Sequence, residues 1–86
     1  MNTPESIKVI ERFYLAINEL IAMKRIRGKK TFAEKYGINR GNFSRVSAVP
    51  ESDMFQVSWL TFIVQDFNVS PEWLLTGRGE MFKTSK

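Results

Sequence analysis

The 86-residue chain contains no cysteine and no histidine. Without cysteine it can form no disulfide framework and no thiolate metal site. Without histidine it lacks the commonest general base and the commonest metal ligand among side chains. No pairing of a nucleophile with a base, and no cluster of metal-ligating residues, is visible in the remaining sequence. We therefore expect a binding protein with no catalytic residues, no metal, no cofactor and no small-molecule substrate, rather than an enzyme.

Long apolar runs are also missing. The most apolar stretch, WLTFIV (59–64), is far shorter than the roughly 20 residues that a membrane-spanning helix needs. The N-terminal stretch MNTPESIKVIERF has early acidic residues and no apolar signal core. A composition of 43% hydrophobic and 26% charged residues is typical of one small globular domain. We expect a cytoplasmic protein that makes no contact with a membrane.

Acidic residues are scarce where the basic residues are concentrated. Residues 24–45 contain eight basic residues and the single acid Glu34, a net charge of +7. Residues 46–76 contain four acids and no basic residue, a net charge of −4. This division is typical of a protein that meets a polyanion with one face. Charge alone leaves open the alternative that the basic segment is an ordinary solvated surface.

Apolar residues recur at spacings of three and four along the chain, which predicts an all-α fold of five helices. The run TPE (3–5) combines a capping hydroxyl, a proline for the first helical position and an acid for the positive end of a helix. The first helix is predicted to begin there and to end near residues 24–27, just before Gly28.

A glycine interrupts the helical pattern in the middle of the basic stretch TFAEKYGINRGNFSRV. Thr31 and Glu34 fit a capping box that starts a short second helix, and Gly37 is predicted to end it. Asn39 is predicted to cap a third helix over about residues 40–47.

The last part of the chain predicts two more helices. A polar loop over residues 47–57 is predicted to precede a fourth helix at about 57–67. The run SPE (70–72) repeats the helix-start signature and predicts a short fifth helix. We assign residues 1–77 to one domain and residues 78–86 to a tail or the start of a linker.

Two short helices joined by a glycine-containing turn form a helix-turn-helix, and this arrangement is predicted for residues 29–48. Phe43 and Val46 are predicted to face the core, so the other positions of the third helix face outward. Those positions offer guanidinium groups that suit guanine, amides that suit adenine and a hydroxyl for a base or a phosphate. The candidate base-reading residues are Asn39, Arg40, Gly41, Asn42, Ser44 and Arg45.

The start of the second helix is predicted to cross the DNA backbone, as it does in this motif. The candidate phosphate-binding residues there are Lys29, Lys30, Thr31 and Lys35. For the lysines the alternative is a plain solvated surface, and for Arg40 and Arg45 it is contact with only phosphate or solvent. Trp59, Phe67, Trp73 and Leu74 have core spacings, and we expect them to form core rather than a platform for stacked single strands.

At these residues the sequence resembles a known family. Residues 29–48 resemble the helix-turn-helix of the lambda-repressor-like (XRE) family, and FNVSPEWLLTGRGEMF (67–82) looks like the segment that closes the DNA-binding domain of its phage-repressor-type members. The resemblance implies a five-helix domain that binds operator DNA, commonly as a homodimer on a two-fold-related site. By position it implies base reading by Arg40, Gly41, Ser44 and Arg45, and phosphate contact by Lys30, Thr31 and the loop beginning at Ser47.

We therefore expect a sequence-specific double-stranded-DNA-binding transcriptional regulator, a repressor of phage or mobile-element type, with its third helix in the major groove. The family often has glutamine where Lys30 or Arg40 stands, so the bases read cannot be copied from it. The alternative is a protein-interaction or antitoxin-like adaptor module on a helix-turn-helix fold. The basic charge concentrated on the motif favours DNA over that alternative.

Overall fold

The structure, a computed structural model, describes residues 3–83, and residues 1–2 and 84–86 lie outside this range. The described chain forms five helices: α1 (Pro4–Ala22), α2 (Lys29–Lys35), α3 (Arg40–Ala48), α4 (Val57–Phe67) and α5 (Pro71–Thr76). Within that range there is no strand, although one isolated antiparallel bridge joins Val69 and Phe82. The all-α fold with five helices is confirmed. No helix over residues 3–83 has both the length and the apolar character needed to cross a membrane.

Aromatic side chains from four helices meet in the core. Phe13 of α1 packs edge-on against Phe32 of α2 and Phe43 of α3, with ring centroids 5.9 and 6.0 Å apart. Trp59 of α4 closes the cluster, with its ring centroid 5.1 Å from that of Phe43. All four side chains are buried, and rings of this size dominate the apolar area removed from water in a small domain. This cluster fixes α3 against the rest of the fold.

The first helix ends before its predicted end near residues 24–27. Lys24 adopts a left-handed φ of 63°, which breaks the helix after its nineteenth residue. The Lys24 N–H then donates to the Ile21 carbonyl at 3.0 Å, and the Arg25 N–H donates to the Leu20 carbonyl at 2.9 Å. This is the Schellman pattern that satisfies the last carbonyls of a helix, here without glycine. Lys24, Arg25 and Arg27 therefore lie in the connection to α2.

The predicted capping box of Thr31 and Glu34 is wrong. The N-cap of α2 is Gly28, three residues before Thr31, and no side chain supplies a hydrogen bond there. Thr31 consequently lies inside the helix and is half-buried. Phe32 and Ala33 are fully buried, so tertiary packing holds this segment helical whatever the local cap signal.

The turn between α2 and α3 forms as predicted. Gly37 adopts a left-handed φ of 68°, and the N–H of Ile38 donates to the carbonyl of Ala33 at 2.8 Å. Asn39 caps the next helix, because its Oδ1 accepts the N–H of Asn42 at 2.9 Å. Ile38 is half-buried against the core and anchors the turn. The two helices are thereby held in a fixed relation.

The described part of the predicted tail returns to the domain. The N–H of Ser70 donates to the Met81 carbonyl at 2.8 Å, and the N–H of Lys83 donates to the Asn68 carbonyl at 2.9 Å. Met81 and Phe82 are half-buried against the core. The folded unit therefore extends past the boundary predicted after residue 77, because these two apolar side chains cover the α4–α5 connection.

Candidate nucleic-acid interface

A groove of about 500 Å³ lies between the start of α2 and the first turns of α3. Buried Phe43 forms part of its wall, and its other lining residues are polar or lack a side chain. Six residues predicted to contact DNA line it together: Lys29, Lys30, Asn39, Arg40, Gly41 and Ser44. The fold thus brings the candidate phosphate-binding residues of one helix beside the candidate base-reading residues of the next.

The outward face of α3 is the one predicted from the sequence. Phe43 and Val46 are buried, which fixes the rotation of the helix about its axis. The other five positions from residue 40 to residue 45 are exposed: Arg40, Gly41, Asn42, Ser44 and Arg45. Because the inner face of α3 is held by the aromatic core, these polar side chains are presented on a rigid support.

A buried hydrogen bond ties α3 to α1. The Tyr14 hydroxyl donates to the Phe43 carbonyl oxygen at 2.7 Å, and the two rings lie 5.2 Å apart. Burial raises the pKa of the Tyr14 hydroxyl above its ordinary value, because the charged phenolate is disfavoured away from water. The hydroxyl therefore remains a protonated donor at alkaline pH values at which an exposed tyrosine ionises.

A second tyrosine fixes the turn against α4. The Tyr36 ring stacks on that of Phe62, with centroids 4.2 Å apart and an interplanar angle of 5°. The Tyr36 hydroxyl donates a hydrogen bond to the Asp66 carboxylate. Burial, and then the adjacent Asp66 charge, raise the pKa of Tyr36. The C-terminal end of α2 is consequently anchored at both the ring and the hydroxyl.

Asn39 has a structural task besides its predicted role in base reading. Its Oδ1 already accepts the N–H of Asn42, so its Nδ2 is the group left for a partner. Gly41 protects this cap, because a Cβ added at Gly41 would lie 3.2 Å from the Asn39 Oδ1. A bidentate amide contact with adenine is therefore better suited to Asn42, whose side chain is exposed.

Arg40 lies opposite Glu34, the acid predicted for the capping box. One guanidinium nitrogen, Nη1, is 4.0 Å from Oε2 of Glu34, and both side chains are 58% exposed. Helical spacing could not reveal this pair, because the two residues belong to different helices and meet only across the Gly37 turn. In the sequence, this pair is indicated only by the opposite charges of the two side chains.

Five of the predicted contact residues do not line the groove, and one of them, Asn42, lines a separate depression beside Tyr36 and Gln56. The Lys35 ammonium lies 5.7 Å from the Tyr36 ring centroid and 6.0 Å from that of Phe67, so it points toward α4. Thr31 is half-buried and Arg45 is exposed elsewhere on the outer face of α3. Each of these four nevertheless belongs to one of the two helices that form the groove.

Ser47 is the fifth residue outside the groove, and its predicted position in a loop is wrong. It lies in the last turn of α3, which continues to Ala48. There it lines a separate depression beside Glu11 and Asn18 of α1. The helix continues past Ser47 because Val46 is fully buried against the core.

No group of three or more acidic side chains within residues 3–83 is arranged to hold a metal ion. Comparisons with protein-family models, with curated proteins and with solved structures found no match to this chain.

Proposed function

We propose that this chain is a sequence-specific transcriptional regulator that binds double-stranded DNA, with α2, the Gly37 turn and α3 acting as a helix-turn-helix. The observation that carries the proposal is the groove in which two lysines of α2 meet the polar outer face of α3. The resemblance of residues 29–48 to the lambda-repressor-like family supports the same function.

The dimensions of α3 suit the major groove. A helix with its side chains is about 10–12 Å across, which fits a major groove about 12 Å wide. The nine residues of α3 extend roughly 13 Å along the helix axis. Arg40 and Arg45 each carry a guanidinium that fits guanine O6 and N7, and Asn42 carries an amide that fits adenine. Gly41 brings no side chain, so the helix backbone can approach a base edge closely. These contacts would determine which sequence is bound.

The lysines at the start of α2 supply the phosphate contacts. Lys29 and Lys30 line the same groove as Arg40, so they would lie over the backbone when α3 enters the major groove. The connection that precedes α2 adds Lys24, Arg25 and Arg27. Contacts of this kind strengthen binding to any duplex and weaken steeply as salt rises.

The mechanism is occupancy of an operator, with no chemical step. A bound regulator blocks polymerase or recruits it, and we propose a cytoplasmic repressor of phage or mobile-element type. A single helix reads only a few base pairs, so a homodimer on two inverted half-sites would supply the remaining specificity.

A protein-interaction or antitoxin-like adaptor module is the second candidate. Two side chains favour it, because Val57 is 75% exposed and Leu75 is 55% exposed on the described surface. Such a module would have no need for a net charge of +7 over residues 24–45. DNA binding explains both the groove and this basic charge, whereas the adaptor explains the two exposed apolar side chains.

The test is selection from random duplex DNA at about 150 mM salt, near physiological ionic strength. Wild-type protein is run beside Arg40→Ala and beside Lys8→Ala, which removes an exposed cation of α1 outside the groove. We expect one enriched motif of two inverted halves about one helical turn apart. Arg40→Ala should lose preference at a defined base pair, whereas Lys8→Ala should retain it. Absence of any enriched motif would contradict the proposal and favour the adaptor.

A further inference from the structure

We infer that Glu34 is a specificity-determining residue that acts by positioning Arg40 for base contact rather than phosphate contact. The inference rests on the proposed function and names the part of that site that separates one sequence from another. It decides between the two roles, base reading and phosphate binding, that the sequence leaves open for Arg40.

The Glu34 carboxylate lies within ion-pair distance of the Arg40 guanidinium. Glu34 Oε2 lies 4.0 Å from Arg40 Nη1, across the turn that joins α2 to α3. Arg40 is the first residue of α3, and the first turn of that helix contains no acid. A cation at the positive end of a helix is unfavourable, so the carboxylate of the preceding helix offsets both charges. The pair remains open to a ligand, because both side chains are 58% exposed.

The charge of Glu34 also discriminates between the two kinds of DNA contact. It is the single acid among the residues 24–45, and it stands beside a cation that lines the groove. A phosphate that approached Arg40 would also approach the Glu34 carboxylate and be repelled by it. A guanine edge is uncharged and presents two acceptors to the guanidinium edge that Glu34 leaves free. Glu34 therefore disfavours phosphate contact more than base contact at Arg40.

The experiment compares Glu34→Gln with wild type on the motif selected above. Two quantities are measured: affinity for random duplex, and the affinity ratio between the preferred base and its replacements at the pair that Arg40 reads. Glu34→Gln should bind random duplex more tightly, and its affinity ratio should fall about fivefold, the lower end of what a bidentate contact contributes. Glu19→Gln, which removes an exposed acid of α1 outside the groove, should leave the ratio unchanged.

A double variant shows whether Glu34 acts through Arg40. In an Arg40→Ala background, Glu34→Gln should no longer change the ratio. Glu34→Asp retains the charge on a shorter side chain, so it should lower the ratio without strengthening binding to random duplex. Thermal unfolding of each variant confirms that the fold is retained, and an exposed pair of this kind should move the midpoint little.

The outcomes separate the two claims. If wild type selects a motif and Glu34→Gln retains the full ratio, the inference is overturned and the proposed function stands. An equal loss of ratio with and without Arg40 would also overturn it, since Glu34 would then act by another route. If wild type shows no base preference, the proposed function and the inference fall together.

Discussion

The hydroxyl of Tyr14 donates a buried 2.7 Å hydrogen bond to the carbonyl oxygen of Phe43, in the middle of α3. This bond joins the longest helix to the helix whose outer face carries the candidate base-reading residues. Because Phe43 is itself in the aromatic core, the position of α3 is set by a ring contact and a polar contact together. The stability of the fold and the presentation of the site therefore depend on the same residues.

Tyr14→Phe should lower the free energy of unfolding by about 1 kcal/mol, the usual contribution of one intramolecular hydrogen bond. The ring is retained, so the aromatic packing should survive and the loss should come from the hydroxyl alone. Denaturant unfolding measures it. Leu15→Ala, at an exposed neighbouring position, is the control and should change stability less. An unchanged stability in Tyr14→Phe would mean that the bond contributes nothing net.

The folded protein should lose stability at high pH through its two anchoring tyrosines. Burial raises the pKa of Tyr14, and burial together with Asp66 raises the pKa of Tyr36, above the ordinary value of 10.0. A raised pKa in the folded state means that the unfolded chain releases its protons first. The two protonated hydroxyls therefore stabilise the fold fully below pH 10.0. This stabilisation is lost as the pH rises toward the pKa values of the two tyrosines in the folded state.

Unfolding free energies measured at about pH 8 and about pH 11, on either side of the ordinary tyrosine value, test this. Wild type should be less stable at the higher pH. The double variant Tyr14→Phe, Tyr36→Phe is the control, and its alkaline loss should be smaller because neither position can ionise. An equal loss in both proteins would assign the alkaline effect to other groups.

Gly37→Ala should destabilise the fold by about 1–2 kcal/mol, the cost of placing a side chain in the left-handed conformation. Gly37 has a φ of 68°, and an added Cβ would meet no atom within 4 Å, so backbone strain is the whole effect. Gly37→Asn should cost less, because asparagine tolerates this conformation. Thermal or denaturant unfolding gives the order, and an alanine variant as stable as the asparagine variant would contradict the argument.

Lys30→Ala should weaken binding to all duplex sequences alike and make the salt dependence shallower. Each phosphate contact contributes about 0.9 to the slope of log affinity against log salt, so the slope should fall by about that amount. Lys35→Ala is the matched control, because the Lys35 ammonium lies over the rings of Tyr36 and Phe67 and outside the groove. Its slope should match that of wild type. A change in base preference with Lys30→Ala would contradict the phosphate role.

Features that depend on residues a few positions apart can be predicted from the sequence. Asn39 caps α3 through an N–H three residues later, and Ser70 caps α5 in the same way. Gly37 and Gly77 end their helices in the left-handed conformation. Capping and helix termination are local, and so is the spacing that turns a helix face inward, so these features were predictable.

Local sequence signals give the wrong prediction where tertiary packing competes with them. Thr31 and Glu34 have the spacing of a capping box, yet burial of Phe32 and Ala33 holds the preceding lysines in the helix. The tail predicted after residue 77 is a second such case. Residues 78–83 include three charged residues, but they pair with the α4–α5 connection through backbone hydrogen bonds.

Which candidate residues share a site depends on how the helices pack, and local sequence patterns do not specify this. Lys29 and Lys30 join Arg40 and Ser44 because α2 packs directly on α3. Lys35 is directed to the rings beside α4, and Ser47 faces α1. Periodicity shows which side of each helix faces outward, but not where that side lies relative to its neighbours. That relation depends on the angle of the turn and on contacts between residues far apart in sequence, such as Tyr14 with Phe43.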